Sequence, residues 1–177
     1  MIKKHSSKIV YTNPWMKVFE DQVEFPNGHK GIYGVVEKHH FVVVIPYQDG
    51  MFSMVKQYRY PINRFSLEFP QGNHEDDADI DPVELAKAEL LEETGLRAGQ
   101  MEYLGFYYQG PGFCRQGFNV YLAKELSEGS QQLEKTEEGL EVKRFTLAEL
   151  EEMVLKGEII DSATLTAIAI LKIKKII

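Results

Sequence analysis

The sequence predicts a single α/β domain in which helices pack on a mixed β-sheet, and three observations predict it. At roughly 150 residues per domain, a chain of 177 residues has room for one domain and not for two. Apolar residues make up 44% and charged residues 27%, close to globular averages, which excludes a disordered tail or a fibrous repeat. Strand-like segments come first, then one helical segment, further strands and two more helical segments, with no internal repeat and no Pro- or Ser-rich linker.

The strands of the N-terminal third fall at 8–11, 15–25, 31–37, 41–46 and 51–58, all rich in Val, Ile, Phe and Tyr. Turn residues punctuate them at Asn13-Pro14, Pro26-Asn27-Gly28 and Gln48-Asp49-Gly50, and Asn27-Gly28 and Asp49-Gly50 read as hairpin tips. Phe69-Pro70-Gln71-Gly72 opens a polar, acidic loop that runs to Asp79. A helix then starts, with Asp81 as cap, Pro82 in the first turn and Glu84 completing the box, and Gly95 marks its stop. Strands resume at 101–108 and 117–123, around a loop at 109–115, and again at 141–145. Leu147, Leu150, Met153 and Val154 keep helical spacing, as do Leu165, Ile168 and Leu171.

Charge and cysteine content narrow the partners. With 20 basic and 27 acidic side chains the net charge is -7, which argues against a nucleic-acid backbone or an anionic membrane as the main partner. An anionic ligand therefore needs local help, from clustered Arg or a metal. Cys114 stands alone, so no intrachain disulfide forms, and no His/Cys cluster has zinc-ligand spacing. The basic start lacks the apolar stretch of a signal peptide, and no apolar run approaches the ~18 residues of a membrane span, so the expected location is the cytoplasm.

On a helical wheel of the segment after Asp81, Val83, Ala86 and Leu90 share one side while Glu89, Glu92 and Glu93 share the opposite arc. These carboxylates are related by i, i+3 and i, i+4 and repel by a few tenths of a kcal/mol, roughly, per pair. No Lys or Arg inside the helix sits a turn away to neutralise them, and Arg97 lies beyond Gly95. Spacing leaves two readings open: a solvated acidic face, or a site for a hard divalent cation that takes carboxylate oxygens.

The string from Gly72 to Leu96 resembles the Nudix box of the Nudix hydrolases, G-x5-E-x7-R-E-U-x-E-E-x-G-U, where U is a bulky aliphatic residue. Glu89, Leu90, Glu92, Glu93, Gly95 and Leu96 stand in family positions. Three features depart from it. Gly72 lies two residues too far upstream, Ile80 occupies the place of the isolated Glu, and Ala88 replaces the Arg that braces the neighbouring carboxylates. Glu75, Asp76, Asp77 and Asp79 are possible substitutes for that Glu, and Arg97 or a residue of another strand for the Arg. Asn13-Pro14-Trp15, Gln57-Tyr58-Arg59, Glu68-Phe69-Pro70-Gln71-Gly72 and Gly157-Glu158-Ile159-Ile160-Asp161 are similar to the ADP-ribose pyrophosphatase branch. Pro111, fifteen residues after Leu96, is close to that branch's characteristic proline; an ordinary turn between Gly110 and Gly112 is the alternative.

The resemblance implies a Nudix fold over residues 1–177: a mixed β-sheet sandwiched by helices, with an N-terminal antiparallel strand region whose strands, within 1–40, contribute to a homodimer. It implies Mg²⁺, with Mn²⁺ as alternative, and a nucleoside diphosphate derivative such as ADP-ribose, cleaved to a nucleoside monophosphate and a sugar phosphate. Carried over residue by residue, Glu89 and Glu93 are the principal metal ligands, Glu92 a further or water-mediated one, and the Gln71 backbone carbonyl an uncharged one. Glu138 is the first choice of general base and Glu137 the second, with Glu89 their rival. Arg59 is a phosphate or ribose contact, with Arg64 and Arg115 weaker candidates of the same kind, and a structural salt bridge is the alternative for Arg59. Trp15 and Phe19 can stack on a base, with buried packing as the other reading. Ala88 and the lengthened loop also motivate a different class, a nucleotide-binding or regulatory module without turnover. An enzyme acting on dinucleoside polyphosphates or nucleoside triphosphates is a third reading.

Overall fold

Strands β1 (Lys3–Asn13), β2 (Met16–Glu24) and β3 (Lys30–Glu37) form one antiparallel sheet in that order. The Asn13 side chain closes the first turn, its Oδ1 accepting from the Trp15 and Met16 N–H groups at 2.9 and 2.8 Å. The second turn is Pro26-Asn27-Gly28, where Gly28 has φ 82°, a left-handed position that glycine takes without steric cost. β1 is longer than its apolar core predicts, carries two register shifts, and is exposed along almost its whole length. Tyr107–Phe118 joins this unit: the Val36 N–H donates to the Phe113 carbonyl and the Arg115 N–H to the Val36 carbonyl, both at 2.8 Å.

The computed structural model describes residues 1–73, 80–133 and 139–176. Its second compact unit comprises Phe41–Phe106 and Asn119–Ile177. The mixed sheet there draws on β4 (Phe41–Gln48), β5 (Met51–Arg59), β6 (Arg64–Glu68), β7 (Gln71–Gly72), β8 (Leu96–Tyr108), β9 (Gly117–Glu128) and β10 (Glu141–Thr146). The strand order is β10-β5-β4-β9-β8, with β6 paired to β5 and β7 to β4. Asp49 and Gly50 have φ 53° and 77°, the paired left-handed residues that a two-residue hairpin of type I′ requires. Two further short strands form, one in a segment given no element above and one at the start of the expected loop. Arg64–Glu68 pairs antiparallel with β5, and Gln71 and Gly72 sit opposite Val43 and Val42.

Three helices follow: α1 (Pro82–Thr94), α2 (Leu147–Leu155) and α3 (Ser162–Ile173). α1 begins and ends where the caps predict. Asp81 Oδ1 accepts from the Val83 N–H at 3.0 Å, and Gly95, at φ 70°, donates to the Leu91 carbonyl at 2.8 Å. Glu84 does not complete a box; its carboxylate pairs with Lys87 at 2.7 Å. The reciprocal box forms on α2, between Thr146 and Glu149. Val42 and Val44 of β4 pack with Leu85, Ala86 and Leu90 of α1. Alternation along the strand turns Val43 and Ile45, both fully buried, to the other face, where α3 is the helix in contact with β4. No helix among the described residues is long and apolar enough to cross a membrane.

Candidate functional site

α1 is covered on two sides. Leu85, Ala86 and Leu90 face the core, and on the opposite arc Glu89 and Glu93 are also buried, at 9% and 1% exposure, with Glu92 half-buried. The acidic arc is therefore not a solvated face. Ionised carboxylates are almost never fully buried unless something compensates them, and β7 supplies part of that compensation. The Gln71 N–H donates to Glu93 Oε2 at 3.0 Å. The Glu89 carboxylate lies so close over Gly72 that a β-carbon there would stand 2.6 Å from its Cδ and Oε1. Only glycine admits this approach.

Beneath β7 lies a charged pair nine residues apart in sequence. Arg59, at the end of β5, forks onto Glu68, at the end of β6: Nε lies 3.0 and 3.2 Å from Oε1 and Oε2, and Nη2 lies 2.5 Å from Oε2. The Gln71 side-chain amide also donates to Glu68 Oε2. Burial pushes the Glu68 carboxyl up, but the Arg59 guanidinium outweighs it and holds the group below the ordinary carboxylate range. Burial likewise lowers Arg59, and Glu68 more than restores it. Asp161, the cap of α3, is pushed up by burial although it accepts from the Thr164 N–H at 2.7 Å. The structural salt bridge expected as the alternative for Arg59 is thus present, and Arg64 is exposed at the start of β6.

The far end of α1 is tied to the chain that follows β9. The Gly129 N–H donates to the Gly95 carbonyl at 2.6 Å, Gln131 Nε2 to the Glu93 carbonyl at 2.7 Å, and the Gln132 N–H to the Glu92 carbonyl at 3.0 Å. Gln131 and Gln132 carry no sequence signal for this role beyond lying in a polar segment. Glu137 and Glu138 lie outside the described residues, as do Glu75, Asp76, Asp77 and Asp79.

The other predicted contacts belong to the first unit. Pro111 and Arg115 line one cavity of about 500 Å³ with Glu37, Lys38, His40, Tyr108 and Cys114. Pro111 stands in a turn whose Phe113 and Cys114 N–H groups both donate to the Gly110 carbonyl, and it lines the cavity from there. Arg115 pairs with Glu37 at 2.8 Å and places its guanidinium 5.3 Å from the centre of the Phe19 ring. Trp15 is not buried packing. It is 54% exposed and lines a second cavity of about 220 Å³ that shares Glu37 and Lys38.

Among the described residues no group of three or more His, Cys, Asp or Glu side chains converges on a single point where an ion would sit. The donor chemistry at α1 and β7 nevertheless fits a hard divalent cation: buried carboxylates, a glycine at close approach, and Gln71 Oε1, a buried oxygen with no hydrogen-bond partner among the described residues. Leaving such an oxygen unmatched costs about 1–3 kcal/mol.

A model of the NUDIX domain matches residues 38–166, and a model of the nucleoside diphosphate sugar hydrolase N-terminal domain matches residues 2–36. The chain belongs to the NUDIX family. It is a Nudix hydrolase. It is 33% identical to an ADP-ribose pyrophosphatase of Bacillus subtilis (strain 168), over 94% of this chain and 90% of that one. An ADP-ribose pyrophosphatase of Mycobacterium tuberculosis is also 33% identical, over 92% and 79%, and a methanol dehydrogenase activator of Bacillus methanolicus is 32% identical, over 94% and 90%. The crystal structure of an ADP compounds hydrolase superposes with a TM-score of 0.85 at 20% identity, covering 97% of this chain and 92% of that one, which shows the shared fold.

Within the Nudix box, two of the departures lie among the described residues. Ile80, where the pattern has Glu, packs against the core cluster around Leu85 and Leu90. Ala88, where it has Arg, is exposed on α1. Arg97, the nearest cation along the chain, has its Nε beside Gly129. Glu68 is the buried residue that sequence reasoning passed over as a functional group. Its signal was the string Glu68-Phe69-Pro70-Gln71-Gly72, read for its similarity and not for its charge.

Proposed function

We propose that this Nudix hydrolase cleaves the diphosphate bond of ADP-ribose or a related nucleotide sugar, with Mg²⁺ or Mn²⁺, to a nucleoside monophosphate and a sugar phosphate. The observation that carries the reading is the burial of Glu89 and Glu93 against β7, which gathers carboxylate oxygens of the kind a hard divalent cation takes. Two relatives named ADP-ribose pyrophosphatase, aligned over nearly the whole chain, support the substrate class. Glu89, Glu92, Glu93 and the Gln71 carbonyl would hold the cation, which when bound offsets the charge of adjacent phosphates and makes a water molecule more acidic. Glu138 is the first choice for the base that takes the proton of the attacking water, before Glu137 and Glu89. Arg59, Arg115, Pro111 and Trp15 are the proposed substrate contacts.

The protein is proposed to act in the cytoplasm as a homodimer built through its N-terminal strands, within a single functional domain of residues 1–177. Exposed Ile9, Val10 and Tyr11 on β1 support the dimer. Incubation with ADP-ribose and a panel of nucleotide sugars, dinucleoside polyphosphates and nucleoside triphosphates tests the reaction. AMP released from ADP-ribose in the presence of Mg²⁺ is the expected result; no turnover on any member would remove it. The relative named as a methanol dehydrogenase activator, together with Ala88, favours a second reading as a nucleotide-binding regulatory module, which tight binding without hydrolysis would support.

A further inference from the structure

α1 brings two buried carboxylates to the site and no cation to match them. Lys87 is taken by Glu84, position 88 is an alanine exposed to solvent, and Arg97 has its Nε beside Gly129. A charge also acts on Glu93 from the other side. Arg59 holds Glu68 by a fork, Glu68 accepts the Gln71 side-chain amide, and the backbone N–H of that same Gln71 donates to Glu93 Oε2 at 3.0 Å. Arg59 also interacts electrostatically with Glu93. Each link fixes the next. A bidentate guanidinium–carboxylate pair allows one orientation of Glu68, and that carboxylate fixes the Gln71 amide by its nitrogen. The two-residue strand β7, paired with Val42 and Val43, then holds the donating N–H in place.

We infer that Glu68 and Gln71 are positioning residues: through the Gln71 side chain they set the orientation in which Glu93 meets a divalent cation. The inference rests on the proposed cation-dependent reaction but concerns residues outside its ligand side chains. Partners that orient metal ligands typically contribute about 10- to 100-fold in metal affinity.

The test is Mn²⁺ titration of the ligand-free protein by calorimetry, alongside urea denaturation of each variant. Gln71→Leu keeps the backbone N–H and removes only the tie to Glu68, and Glu68→Gln weakens both of its own links. Each should bind Mn²⁺ about 10- to 100-fold more weakly while folded, and the Mn²⁺ concentration for half-maximal turnover should rise more than kcat falls. A role in fold stability alone would move the urea midpoint and leave Mn²⁺ affinity unchanged. If Glu68→Gln unfolds, Gln71→Leu decides. Wild-type Mn²⁺ affinity in folded Gln71→Leu, with binding lost in Glu93→Gln, would overturn the positioning role and leave the proposed reaction standing. A wild-type protein that binds no Mn²⁺ would overturn both.

Discussion

A region in each of the two compact units departs from the inside-outside rule, and the two regions depart in opposite directions. In the second, Glu68, Glu89 and Glu93 are buried among Phe69, Leu90 and Val42; in the first, Ile9, Val10, Tyr11, Trp15 and Ile32 are half-exposed or more. A buried charge and an exposed apolar patch are the two informative departures from ordinary burial. They teach different things. A buried carboxylate is retained at a cost and points to chemistry, whereas exposed apolar area on a thin sheet points to another surface that covers it.

The sharpest way to break this comparison is to remove the charge from the inverted interior. Glu93→Gln keeps an acceptor for the Gln71 N–H and relieves repulsion with Glu89, so turnover of ADP-ribose should fall by orders of magnitude while the melting temperature stays level or rises. Steady-state rates and a thermal scan of the same preparation check it. Equal activity in the variant would detach the buried carboxylates from catalysis.

Arg59→Met breaks the interior pair from its other partner. Glu68 would be left buried without a guanidinium, at a cost of roughly 3 kcal/mol at pH 7, the low end for a broken buried pair because Arg59 is part-exposed. The pH dependence has a definite sign. The folded-state pKa of Glu68 in the wild type is depressed, so its contribution is present above the ordinary carboxylate pKa and is lost as pH falls through the folded value. In the variant the guanidinium no longer offsets burial, which raises the pKa, although the Gln71 amide still donates to the carboxylate, so the gap between the two proteins should narrow on acidification. Urea midpoints at pH 7 and pH 5 measure it; a constant gap would mean that the pair contributes shape and not charge.

Val10→Lys addresses the first unit. Val10 sits at a register shift of β1, where the ladder is already interrupted, so the substitution should leave folding intact. It should weaken self-association at least about tenfold if this strand lies in the proposed dimer interface. Sedimentation equilibrium of both proteins checks it, and a wild type that stays monomeric would remove the interface reading of the exposed residues.

What was legible in the sequence follows from how local each cause is. Asp81, Pro82 and Gly95 bound α1 because capping involves neighbours in the chain, and Asp49-Gly50 turns β4 into β5 because two left-handed residues suffice. β6 and β7 were not legible. Their partners lie on β5 and β4, their lengths are five and two residues, and Arg59 and Glu68 meet only after the hairpin has closed. The spacing of Glu89, Glu92 and Glu93 was visible, but their burial was not, since β7, which meets Glu89 and Glu93, was itself not legible. Trp15 shows the converse: size and apolarity predicted packing, and the residue is exposed.

The smallest expected effect is the most discriminating for the site's construction. Ala88→Arg restores the residue that the Nudix pattern places beside the first glutamate, on a face of α1 that is open to solvent. A flexible cation there is screened by water, so stability should change by no more than about 0.5 kcal/mol. If Glu93 is already oriented from β7, a second brace from α1 has little left to fix, and Mn²⁺ affinity should stay within about twofold of wild type, against the 10- to 100-fold scale of a lost orienting partner. A tenfold tightening would show that the Arg59–Glu68–Gln71 chain leaves the carboxylates partly loose. A tenfold weakening would instead place position 88 on the path by which the cation or its diphosphate enters.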